Sequence, residues 1–365
     1  RKRLFGLQEF RRCPRLASDG VPATTQAAWR SPLKRLLRPL TAGMALVATF
    51  ACATAIAAEV EWKFYTYFGA NDKPTALHRA FADDVYQASK ERFRIRVFAS
   101  GELPYKASDV LRTVATNQVQ MGDVALGFVA GDVPELNAFA MPFACTSIDS
   151  FYDKAAPAVE ADVNSVLSGK FKTRSIMQWV MPPQQLWLAK PVAGIDGLKN
   201  LKVRSWNREQ AEMMKLLGGS GVTITPAEVI PAFQRGVVDG AFTAAVPALD
   251  WKFHEVTKMG YMMNLTLAHQ VIAVNEQQLD KLPADLRTLL LDKAREWAPK
   301  YRAEIVEADR VARITLAEKG MVLRDPTAEE MAKFREVTRP MWKEWTDKNG
   351  PAAEKMLNTV LEACR

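Results

Sequence analysis

Histidine and cysteine are scarce in this chain of 365 residues, with three and four copies. His78, His254 and His269 are scattered, and H-E-V-T-K at 254–258 puts Lys258 where the helical zinc motif needs its second histidine. No metal centre is expected. No G-x-S-x-G, G-x-G-x-x-G or phosphate-loop pattern occurs, and G-G-S-G at 218–221 lacks the spacing of a nucleophile elbow. Glu228 and Asp239 are the nearest thing to a catalytic carboxylate pair. Glu228 reads better as a first-turn helix residue and Asp239 as part of a D-G turn, and nothing places a leaving group between them. The chain therefore offers no cofactor motif and little support for an enzyme. Internal repeats and low-complexity tracts are also absent.

A long apolar run is missing too. Arg30, Lys34, Arg35 and Arg38 precede L-T-A-G-M-A-L-V-A-T-F-A-C-A-T-A-I-A-A, residues 40–58, which is short for a membrane span and closes on an A-x-A at Ala55 and Ala57. Residues 1–58 are expected to be a leader with a secretory signal peptide, cut after Ala57 or Ala58, which directs the rest to the periplasm. That segment holds ten of the 49 Lys and Arg and two of the 41 Asp and Glu, so 39 of each remain beyond it. The formal charge of +8 belongs to the leader, and the case for a nucleic-acid partner goes with it. Cys145 and Cys364 remain, an even pair in an oxidising compartment, which permits one disulfide to the C-terminus.

What is present alternates between two periods. E-V-E-W-K-F-Y-T-Y-F, residues 59–68, alternates Val60, Trp62 and Phe64 with polar partners as a strand does. A helix follows the N-D-K-P turn, with Leu77, Phe81 and Val85 on one face. Next come a strand R-F-R-I-R-V-F-A, a helix capped at Ser108, and a strand in V-Q-M-G-D-V-A-L-G-F. This β-α-β-α-β order predicts a parallel sheet covered by helices. The pattern restarts after F-K-T-R-S-I-M-Q-W-V, M-P-P and Q-Q-L-W-L-A, so two α/β lobes with a cleft between them are expected over about 307 residues. Beyond residue 283, Leu286, Leu290, Ala294, Trp297, Tyr301, Ile305, Ala308, Ala312 and Leu316 keep helical spacing to Gly320, bent at Pro299. A helix that long is expected to buttress both lobes.

One cation stands out within this pattern. In G-L-K-N-L-K-V-R-S-W-N, residues 197–207, Arg204 closes a strand and Trp206 follows at once. Such an arginine is ordinarily a solvated edge residue. The stretch continues into a helix ending in L-G-G, then P-A-E-V-I-P-A-F-Q-R-G-V-V-D-G and K-F-H-E-V, all in order over residues 197–256. This succession resembles the solute-binding subunit of tripartite ATP-independent periplasmic (TRAP) transporters, the dicarboxylate-binding type. Weaker similarity, through A-S-G-E-L-P and M-P-F, covers the rest of the chain beyond the leader.

The resemblance implies a two-lobed periplasmic binding protein fold with a long helix spanning both lobes. Its boundaries would be 59–181 plus 269–308 for the first lobe and 182–268 plus 309–365 for the second. It implies an organic acid as ligand, held by Arg204 through a paired guanidinium–carboxylate contact, and TRAP membrane permease subunits as partners. A planar guanidinium gives a carboxylate two parallel hydrogen bonds, and closure of the lobes desolvates both groups. Where the family often has Q-E-N-P after V-D-G this chain has A-F-T-A, which brings Thr243 to the asparagine position. Two further cationic positions fall on Gln184 and on or near Phe128. With Phe68, Trp179, Trp206 and Phe242 as neighbouring aromatic candidates, and Trp187 and Trp251 close by, the expected ligand is a monocarboxylate with an apolar or aromatic body, a 2-oxo or 2-hydroxy acid. A ligand-sensing subunit for a signalling kinase would share every one of these residues; a periplasmic enzyme would have to show turnover.

Overall fold

The computed structural model describes residues 58–365; the expected leader, except its last residue, lies outside them. In chain order the strands are β1 (Val60–Tyr65), β2 (Phe93–Phe98), β3 (Met121–Ala125), β4 (Thr173–Met181), β5 (Gln185–Leu188), β6 (Lys202–Ser205), β7 (Ser220–Thr223), β8 (Gly240–Thr243), β9 (Met259–Tyr261), β10 (Ala268–Asn275) and β11 (Val322–Arg324). They form two sheets, β2-β1-β3-β10-β4 and β11-β9-β5-β8-β6-β7. Each sheet carries apolar side chains on both faces, as strands covered by helices on both sides must.

The sheets are mixed, where the sequence pattern predicts parallel ones. β10 runs antiparallel to both β3 and β4, and β5 antiparallel to both β8 and β9. The reason is that the chain changes lobes. It leaves the first sheet at Met181, passes Pro182, Pro183 and Gln184, and enters the second as β5; it returns after β9 to re-enter the first sheet as β10. The two crossings lie side by side. Gln184 N donates to Thr266 O (2.8 Å), Leu265 N donates to Gln184 O (2.9 Å), and the Gln185 side chain bonds both the amide nitrogen and the side-chain oxygen of Asn264. Two prolines and a pair of short ladders make a narrow ribbon between the lobes.

The third crossing is the helix Ala284–Glu318, 35 residues or roughly 52 Å at 1.5 Å per residue. Leu286 through Ile305 pack into the first lobe and Ala312 and Leu316 into the second. Asp309, not Ala308, completes its fully buried stripe, bonded to Arg313 at 2.7 Å. Ser108 caps no helix: Ala107–Asp109 is a 3-10 turn leading into Val110–Ala115, and Asp109 instead accepts from Lys106 N.

The C-terminal helices also depart from the expected boundaries. Ala328–Thr338 packs on the second lobe through Phe334, but Trp345 of Pro340–Asn349 and Met356, Leu357 and Val360 of Pro351–Ala363 join the core of the first. The last helix is amphipathic, and its apolar stripe finds the open face beside the helix Ala156–Phe171. Cys364 at its end is disulfide-bonded to Cys145.

Candidate functional site

Arg204 is 2% exposed. It sits at the end of β6, between β7 and β8, with its Cα opposite Val222 and Ala241. Strand alternation sends Val203 into the core of the second lobe and Arg204 to the face that meets the first lobe. Two main-chain carbonyls fix the guanidinium: Nε donates to Ile224 O at 2.9 Å and Nη1 to Phe242 O at 2.7 Å. Among the described residues no carboxylate stands within ion-pair distance. Burial without a counter-charge pushes its pKa down to about 9, with only the Tyr67 phenol acting the other way.

The guanidinium borders a cavity of ≈ 30 Å³ between the lobes. Gln184, Thr243, Trp206, Phe128 and Phe68 stand on the same wall, so six of the eight residues singled out in the sequence are brought together. Gln184 is carried by the first crossing, and Thr243 ends β8, its carbonyl accepting from Trp187 Nε1 at 2.9 Å. Phe128 meets Tyr67 and Trp206 edge to face, with ring centroids 5.2 and 5.4 Å apart.

Trp179 and Phe242 do not line the cavity. Phe242 alternates with Thr243 on β8, so when Thr243 faces the cleft Phe242 must face the opposite core, and only its carbonyl serves Arg204. Trp179 lies one layer deeper, behind Phe68, with its indole N–H donated to Asp123 at 3.2 Å. Asp123 also takes bonds from Thr66 and His78, and His78 pairs in turn with Tyr301 of the long helix, a wholly buried polar cluster under the aromatic wall.

Seven further residues line it, Tyr67, Met181, Pro226, Pro247, Trp251, Ala268 and Gln270, of which the sequence suggests only Trp251 as a neighbour. Tyr67 precedes Phe68, and its hydroxyl donates to Gln270 Oε1 at 3.1 Å. Gln270 belongs to β10, and only knowledge that this strand returns beside the cleft would have found it. Among the described residues no Asp or Glu lines the cavity, and no group of three His, Cys, Asp or Glu side chains is placed to hold a metal ion.

Three hydrogen bonds join the two lobes. Trp251 Nε1 donates to Asp72 at 3.1 Å, Lys73 N to Asp250 at 3.1 Å, and Asn137 Nδ2 to Glu209 at 3.0 Å. Burial between the lobes holds the carboxyls of Asp250 and Glu209 above their usual range. A larger groove of ≈ 370 Å³ is lined by Glu209 as well, but Arg208 and Lys348 on its wall are matched by Glu209, Glu212 and Glu344. It holds no uncompensated charge comparable to Arg204.

Comparison with known proteins finds relatives of this fold. The C4-dicarboxylate-binding periplasmic protein DctP of Rhodobacter capsulatus is 27% identical over 263 residues, covering 70% of this chain and 77% of that protein. A solute-binding protein of Albidiferax ferrireducens is 24% identical over 290 residues, 76% of this chain and 83% of its own. The crystal structure of DctP6, a Bordetella pertussis extracytoplasmic solute receptor binding pyroglutamic acid, shares the fold with a TM-score of 0.78 at 24% identity, over 83% of this chain and 99% of that one. The profile of the bacterial extracellular solute-binding proteins, family 7, matches residues 69–349, and the chain belongs to that family of transport proteins.

Proposed function

We propose that this protein captures a monocarboxylate with an apolar or aromatic body, a 2-oxo or 2-hydroxy acid, in the periplasm and delivers it to the membrane subunits of a TRAP transporter. The observation that carries this reading is a buried guanidinium bordering a cavity without a counter-charge. An incoming carboxylate supplies that charge and recovers the desolvation cost already borne by Arg204.

The rest of the wall narrows the ligand. Gln184, Thr243 and Gln270 are neutral, and Tyr67, Phe68, Phe128, Trp206 and Trp251 are aromatic. A second carboxylate would find no second cation there, whereas a flat or branched apolar body finds ring faces. The pyroglutamic acid of the Bordetella receptor, a ring with one carboxylate, fits that description better than the C4-dicarboxylates of the Rhodobacter protein.

Binding begins with the lobes apart. The acid lands on Arg204, with Gln184 and Thr243 bonding its second polar group, and the lobes then close by bending at the two-strand ribbon and along the long helix. No covalent step is needed. Mass spectrometry of the ligand released from purified, denatured protein tests the substrate class. Thermal-shift screening should show stabilisation by branched or aryl 2-oxo and 2-hydroxy acids. Stabilisation by C4-dicarboxylates instead would overturn the proposal.

A further inference from the structure

Trp206 carries an unused hydrogen-bond donor. Its side chain is 4% exposed, stands on the cavity wall two residues beyond Arg204, and its indole N–H has no partner among the described residues. An indole N–H donates and cannot accept, and buried donors are nearly always satisfied. Two neighbouring tryptophans contrast with it: Trp251, also on the cavity wall, bonds Asp72, and Trp179, one layer deeper, bonds Asp123.

The ring is seated by the opposite lobe. A methyl group added at Gly127 would stand 2.2 Å from Cζ3 and 2.4 Å from Cη2 of Trp206, so only glycine lets the indole approach so closely. Phe128, the next residue, packs edge to face on the same ring. Cζ3 and Cε3 form the edge of the indole away from Nε1, so the face held by Gly127 leaves the N–H edge free.

We infer that Trp206 reads a second oxygen on the ligand through Nε1, and that its seat on Gly127 ties this recognition to closure of the lobes. The inference rests on Arg204 as the carboxylate anchor and refines which acids are accepted. An oxo or hydroxyl oxygen accepts the indole proton. A methylene leaves the donor unsatisfied. An ammonium sets donor against donor, with no Asp or Glu on the wall to balance its charge. The site therefore favours 2-oxo and 2-hydroxy acids over the deoxy acid and the amino acid of the same skeleton.

The test uses 4-methyl-2-oxopentanoate, 2-hydroxy-4-methylpentanoate, 4-methylpentanoate and leucine as probes in titration calorimetry. Wild-type protein should bind the oxygenated acids at least about tenfold more tightly than the deoxy acid and bind leucine most weakly, the scale expected when a buried donor loses its partner. Trp206→Phe keeps a ring and removes the N–H but leaves Gln184 and Thr243 in place, so it should shrink that ratio severalfold by weakening the oxygenated acids alone. Gly127→Ala should weaken oxygenated and deoxy acids together and keep the ratio. An unchanged ratio in Trp206→Phe overturns the inference, as does the same loss of ratio in Gly127→Ala, which would assign the effect to ring packing. If none of the four probes binds wild-type protein, the monocarboxylate reading fails and this inference with it. If Arg204→Ala abolishes binding while Trp206→Phe preserves the ratio, only the inference falls.

Discussion

Arg204 is a charged residue that the protein alone orients on a cavity wall. Two carbonyls set its orientation, and no carboxylate among the described residues compensates its burial. Truncation to alanine should therefore cost about 2 to 5 kcal/mol of acid affinity, measured by calorimetry, because it strands a desolvated carboxylate. A loss below about 1 kcal/mol would mean a solvated rim contact. Arg204→Lys should recover little of it, since an ammonium lacks the planar fork that meets two carbonyls and a carboxylate at once. At this scale the sequence was informative wherever a residue ended a strand beside the cleft, as Arg204 and Thr243 do. It misled where one strand offered two candidates. Thr243 and Phe242 are consecutive, and strand alternation alone allows only one of them into the cavity. Trp179 differs: its burial beneath Phe68 depends on Asp123, a partner 56 residues away.

Among the elements, the long helix was the most legible, because a three-four apolar repeat over 35 residues admits no other local structure. The placement of the final helix was hidden, since its partners lie about 200 residues back in the chain. The Cys145–Cys364 disulfide spans 219 residues and pins that helix to the first lobe. Serine at both positions should lower unfolding stability by about 2–5 kcal/mol in urea titration. Unfolding curves that superimpose on wild type would show that the helix packs as well without the link. Where the helix Lys73–Ala88 begins, its first amide meets Asp250 at the end of Ala245–Asp250. Burial, helped by the charge of Asp72 and opposed by the Lys73 amide and ammonium, pushes the Asp250 carboxyl up to about 6. The folded protein thus holds a proton there that the unfolded chain has released. The stability from this group is complete below about pH 4 and is lost as pH rises through 6. Asp250→Asn keeps an acceptor for Lys73 without the titration, so its melting temperature should gain on wild type as pH rises from about 4 to 7. A constant difference across that range would dismiss the carboxyl as the cause.

For the whole molecule, the interleaving of the two lobes decides what motion is available. The βα periodicity revealed two α/β units but not that β10 belongs to the first sheet. That pairing brings together β3, β4 and β10, segments far apart in the chain whose partners no local pattern names. Three crossings tie the lobes together, so the opening that the proposed function requires is a bend and not a free separation. The cavity of ≈ 30 Å³ has room for one or two waters, so the proposed capture of an acid requires the lobes to part. Parting them breaks the Trp251–Asp72, Lys73–Asp250 and Asn137–Glu209 bonds. These tethers exist only in the closed arrangement, so they should govern escape of the ligand more than its capture. In the double variant Asn137→Ala, Trp251→Phe, each lost bond being worth about 1 kcal/mol, the dissociation rate should rise by about tenfold or more while the association rate changes by less than about threefold. Stopped-flow tryptophan fluorescence with a bound acid measures both. A slower association with an unaltered dissociation rate would place these bonds in the open protein, and the lobes would then have to be regarded as closing for reasons other than their meeting edges.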